Sequence, residues 1–107
     1  MKGISWLGSS KDDVRAFPAN VRREAGFQLD KVQHGEDPDD WKPMPTVGPG
    51  VREIRIRDAA GAFRVIYVAT HADAIYVLHA FTKKTTATSP HDLRLARQRY
   101  QRCRSKA

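Results

Sequence analysis

Cysteine, long apolar runs and, past its midpoint, acidic residues are what this chain has least of. A single cysteine, Cys103, stands among 107 residues, so no internal disulfide forms. No Cys/His spacing of the zinc-site kind is present either, which argues against a disulfide-stapled secreted scaffold and supplies no metal-ligand set. No run approaches the roughly 18 apolar residues that a membrane-spanning helix requires. In the opening MKGISWLGSSKDD a single lysine, Lys2, precedes a four-residue apolar stretch broken by Ser5, far short of a signal-peptide core. The expectation is a protein of a reducing compartment, resident in the cytoplasm, with no metal, no cofactor and no membrane partner.

Acids are scarce in one region only. Residues 1–50 hold seven Lys and Arg against eight Asp and Glu, and residues 51–107 hold twelve against four, so formal charges of −1 and +8 make up the total of +7. A small chain with one cationic half is expected to meet a polyanion, because each neutralised phosphate releases condensed counterions. RNA or DNA is the first candidate; the alternative is ordinary solubilising surface charge. The length suits a single domain over residues 1–107 with one modest core.

Ile4, Trp6 and Leu7 predict a short strand. A helix start follows at Ser10, where Ser10-Lys-Asp-Asp13 has the form of a capping box. Pro18 either stops that helix or opens the next. Val21, Ala25, Leu29 and Val32 recur at helical spacing, and Gly35 marks the end. Residues 36–50 contain four prolines and two glycines, a composition that propagates neither helix nor central strand, and read as a long connection. Alternation over residues 51–57, 62–69 and 74–82, with short intervening turns, predicts an antiparallel meander. Ser89-Pro-His-Asp92 repeats the helix-start signature, and Leu93, Ala96, Tyr100 and Cys103 form the apolar stripe of a last helix. The expected fold class is α+β: an N-terminal helical pair on one face of a small, mainly antiparallel sheet, with the last helix near its edge.

In the first meander strand Glu53, Arg55 and Arg57 share one face and Ile54 and Ile56 the other. Arg64 interrupts an apolar run, and a buried guanidinium either finds an acid such as Glu53 or opens onto a groove that holds phosphate. Lys83 and Lys84 end the third strand, where Arg55 and Arg64 would join them; singly, they read as a solvated strand end. Fixed cations of this kind stabilise the charge that develops on a phosphodiester in its transition state, and in RNA the 2′-hydroxyl serves as nucleophile without a metal. His79, on a face with Val77 and Phe81, is either a hydrogen-bonded core histidine or a base. His91, in the first turn of the last helix, is either a surface residue or a proton carrier. Trp41 either stacks on a base or anchors its loop. Arg94, Arg97, Arg102 and Arg104 flank the last apolar stripe and either contact phosphate or are solvated.

The ordered stretches Val51-Arg-Glu-Ile-Arg-Ile, Phe63-Arg-Val-Ile-Tyr67 and Ile75-Tyr-Val-Leu-His-Ala-Phe-Thr-Lys-Lys84, followed by a helix with Ala96, resemble the RelE/ParE toxin superfamily. Gly8-Ser-Ser-Lys-Asp-Asp, the Phe17-Pro18 junction and Asp40-Trp-Lys-Pro-Met44 are similar to its phage-derived, HigB-like subgroup. The resemblance implies the toxin of a type II toxin–antitoxin pair. Its expected activity is that of a ribosome-dependent mRNA endoribonuclease, inhibiting translation and neutralised by a cognate helix-turn-helix antitoxin. By the same resemblance Arg64 stabilises the scissile phosphate, Arg55 acts as base or phosphate ligand, and Lys83 serves the leaving group or phosphate. No tyrosine stands near the start of the last helix, where several relatives use one, and His91 is the nearest substitute. Arg52, Arg57, Lys84 and Arg97 complete the set as substrate-binding residues. Two other readings compete: a ParE-like inhibitor of DNA gyrase that cleaves nothing, and a degenerate module that only binds antitoxin. Arg64 with Lys83 and Lys84 favours the nuclease.

Overall fold

Helical spacing in the first third of the chain and alternation past residue 50 become separate layers in the computed structural model, which describes residues 1–105. Of the domain expected over residues 1–107, the last two residues lie outside the described residues. The elements are β1 (Gly3–Trp6), α1 (Ser10–Arg15), α2 (Ala19–Gln33), β2 (Trp41–Pro43), β3 (Val51–Asp58), β4 (Gly61–Val68), β5 (Ala74–Lys83) and α3 (Pro90–Ser105). One five-stranded sheet has the order β1-β5-β4-β3-β2. Only β1 runs parallel to its neighbour, β5; the other pairs are antiparallel. The α+β class and the mainly antiparallel sheet stand as expected.

Each face of the sheet is covered by helix. Val14 and Phe17, with the α2 stripe Val21, Ala25, Leu29 and Val32, pack on Ile54, Ile56, Phe63, Val65, Tyr67 and Val77. On the other face, Ala96, Tyr100 and Cys103 of α3 meet Ile66, Val68, Tyr76 and Leu78. Each fully buried side chain of this size contributes about 1.5–3 kcal/mol. The last helix lies on the second face against β5, the strand next to the edge strand β1. That placement leaves the far ends of β3, β4 and β5 uncovered on the α3 side.

Three local expectations change. The connection over residues 36–50 holds a short strand, β2, pairing Trp41, Lys42 and Pro43 with Ile54, Glu53 and Arg52. Proline is tolerated there because β2 is an edge strand and Pro43 need donate no inward hydrogen bond. Ser10 is not the cap of α1. Ser9 holds the cap position, while Ser10 is inside the helix, fully buried, and its hydroxyl donates to the Val77 carbonyl at 3.1 Å. Ser10→Ala is thus expected to lower stability by about 1 kcal/mol, measurable by urea denaturation, with no effect on any reaction at the uncovered strand ends.

The third change concerns β5. Its pairing with β4 runs Lys83 to Ala62, Phe81 to Arg64 and His79 to Ile66, then slips so that Val77 faces Tyr67. Leu78 is the extra residue of a β-bulge, and it packs with the α3 side while Val77 packs with the α2 side. His79 and Phe81 therefore do not share a face with Val77. Beyond the bulge, His79, Phe81 and Lys83 all point to the α3 side.

Candidate active site

The register assembles the site row by row. Arg57, Ala62 and Lys83 face one another across three strands, and the next row holds Arg55, Arg64 and Phe81. Ala62, with one methyl between two long cations, leaves an open hollow of about 380 Å³ lined by Arg57, Arg64, Lys83, Asp58 and Thr85. The β3–β4 turn behind it is short: Asp58 pairs with Gly61 and accepts from the Ala60 amide at 3.0 Å. Gly61 has φ 137°, which a β-carbon would resist.

Arg64 is the buried member, 3 % exposed, with its Nε 3.5 Å from an oxygen of Glu53, itself 0 % exposed. Arg64 thus pairs with Glu53 and at the same time lines the open hollow. Its Nη1 donates to the Phe63 carbonyl at 3.0 Å. Burial pushes the Arg64 pKa down, Glu53 opposes the shift, and Arg55 and Arg57 add to it. The Lys83 pKa is lowered by burial and then by Arg64, with Lys42 and Arg55 contributing and Glu53 opposing. Like charges this close destabilise one another unless an anion arrives. Two donors, Arg55 Nε and Arg64 Nε, are buried without a hydrogen-bond partner among the described residues. The arrangement, built on rigid strands, has the charge and the donors to hold an anion.

Other residues singled out by the sequence fall elsewhere, and one cation of the site was missed. Arg55 is on the α3 face next to Arg64, with Asp40 4.0 Å from its Nε. Lys84 lies exposed just past the end of β5. Arg52 has the parity of Ile54 and so faces the α2 side, where it covers the Trp41 ring at 3.8 Å and pairs with Asp37 at 2.8 Å. Trp41 is accordingly held against the body of the protein. Arg97 donates to the Thr46 carbonyl at 2.7 Å, away from the hollow. His91 is exposed and lines a different hollow, on the far side of β5 with Ser9 and Asp13. Lys42, hidden in the proline-rich connection, enters the site through its pairing with Glu53. A larger hollow, about 740 Å³, lies by Met1, His34 and Arg52; Glu36 and Asp37 balance its cations, so it lacks the positive field of the smaller one.

His79 is a core histidine. Its Nε2 is 2.6 Å from an Asp92 oxygen, and its Nδ1 is 3.2 Å from Arg99 Nη1, which can only donate. Nδ1 therefore accepts and Nε2 carries the proton, so neither nitrogen is free. Arg99 continues to the Leu78 carbonyl and to Ser9. This chain of contacts fastens α3 to β5 and α1, and it fixes the helix start signalled by Ser89 and Asp92. Burial, the first cause, lowers the Arg99 pKa.

The fold is thus a small α+β domain with a cationic hollow on its sheet. Residues 12–101 match the family described as Phage derived protein Gp49-like, and the chain belongs to it. That family lies within the RelE/ParE-like toxin superfamily, whose members are toxins of toxin–antitoxin pairs, so an antitoxin partner is implied. No curated protein matches the chain. No helix among the described residues is long and apolar enough to cross a membrane.

Proposed function

We propose that this toxin is a metal-independent endoribonuclease of the HigB-like subgroup that cuts mRNA on the ribosome and so blocks translation in the cytoplasm. The observation that carries the reading is the hollow in which Arg57, Arg64 and Lys83 converge around Ala62. In the reaction the 2′-oxygen of the message forms a bond to phosphorus and the bond to the 5′-oxygen breaks. The 2′-hydroxyl loses its proton and the 5′-oxygen gains one. Arg55, Arg57 and Arg64 stabilise the charge on the non-bridging oxygens. Lys83, whose pKa is lowered by burial and then by Arg64, protonates the leaving 5′-oxygen. The same cations repel a divalent metal, so the guanidinium groups take over its electrostatic task. The cognate antitoxin, a helix-turn-helix protein, supplies the carboxylates that silence this surface.

The test is end-group analysis of the cleaved message, with and without EDTA. The expected products carry a 2′,3′-cyclic or 3′-phosphate and a 5′-hydroxyl, and cleavage survives chelation. Products with 5′-phosphates, or loss of cutting in EDTA, reject the mechanism. Intact RNA together with inhibited gyrase moves the toxin to the ParE-like class. His91→Ala is expected to slow cleavage less than about tenfold, below the ~100–10,000-fold worth of an in-place general acid or base, because His91 lines a different hollow from Arg64. A rate loss matching that of Lys83→Ala would instead give His91 a proton-transfer role.

A further inference from the structure

Among the described residues Glu53 is the only buried acid, and its carboxylate is divided between two tasks. Oε1 faces Arg64 Nε at 3.5 Å, and Oε2 accepts from the Thr88 hydroxyl at 2.9 Å. We infer that Glu53 is a positioning residue for Arg64, and that Thr88 fastens the β5–α3 loop to the same carboxylate. The inference rests on the nuclease reading above.

Arg64 needs such a partner because of where the register puts it. Arg55 stands directly opposite on β3, and like charges in that position repel. An unrestrained guanidinium would swing into water. Glu53, two residues before Arg55 on the same face, holds the Nε side, and the Phe63 carbonyl holds Nη1. Nη2 takes part in neither contact and is the nitrogen left for a phosphate in the hollow. A full desolvation penalty accompanies a carboxylate at 0 % exposure, and an apolar residue at position 53 would avoid it. Placement of the guanidinium, more than stability, explains the acid. Thr88 extends the effect: it sits in the segment between Lys83 and Pro90 that also carries Thr85, which lines the hollow. One carboxylate therefore sets both the floor of the site and the loop at its rim.

The experiment is a double-mutant cycle on the full-length protein, with an end-labelled mRNA supplied both free and on ribosomes. Glu53→Gln is expected to lower kcat by roughly ten- to a hundredfold, the cost of displacing a catalytic group by about an ångström. KM should change less than about threefold, because Arg57 and Lys83 still bind the ground-state phosphate. In an Arg64→Ala background the same substitution should cause no further loss, since its effect passes through the guanidinium. Equal loss in both backgrounds, or an unchanged kcat, overturns the proposal. Should Glu53→Gln fail to fold, Thr88→Val decides: a three- to fivefold fall in kcat, about the worth of a weakened hydrogen bond, supports it, and an unchanged rate overturns it. A fully active Arg64→Ala protein would instead sink the nuclease reading itself, a result distinct from either.

Discussion

Arg64→Ala is expected to slow RNA cleavage by about a hundred- to a thousandfold, the worth of one fixed donor to a developing oxyanion. It should also cost about 3–5 kcal/mol of stability, because Glu53 is left as a buried carboxylate without its cation. From the sequence alone this substitution looks harmless to the fold; the buried pair changes that expectation. A small domain with ~5–15 kcal/mol in hand survives the loss. Combining Arg64→Ala with Glu53→Gln should recover most of the stability and none of the activity, which separates the two roles of the residue. Urea denaturation and single-turnover cleavage on the same preparations give both numbers. A single variant that cleaves within tenfold of the parent would remove Arg64 from the site.

Affinity for RNA should fall about a thousandfold between roughly 50 and 200 mM salt if about six phosphates are neutralised. Lys42, Arg55, Arg57, Arg64 and Lys83 share the α3 face of the sheet, and Lys84 follows directly. Arg52 and Arg97 are engaged elsewhere and should contribute little to the slope. Filter binding over that range checks the claim. A change below tenfold would mean that the cationic surface is not the binding surface.

Much of the sheet was legible because alternation is a local signal: Ile54 and Ile56 against Glu53, Arg55 and Arg57 sort correctly into two faces. The same alternation sets Arg52 apart from Arg55, a distinction that grouping residues by charge alone passes over. β2 was obscured by Pro43 and Pro45, since proline rules out a central strand but not an edge, and strand order is set by pairing that no local window records. Lys42 was lost with it. His79 was ambiguous for a different reason. Its partners Asp92 and Arg99 come from another element, and Leu78, the bulged residue, is as apolar as its neighbours and carries no mark in the sequence.

That unmarked residue acts as a phase switch for the end of β5. Side chains on a strand repeat every second position, so one extra residue inverts everything after it. If the bulge were ironed out with Leu78 retained in regular alternation after Val77, Ala80 and Thr82 would turn toward the α3 side, while His79, Phe81 and Lys83 would turn toward α2. The helices, the strand order and the composition would all be preserved, yet Arg64 would lose Lys83 as its companion. The meeting of Lys83 with Arg64 thus depends on an irregularity of β5 and not on the plain alternation of its sequence.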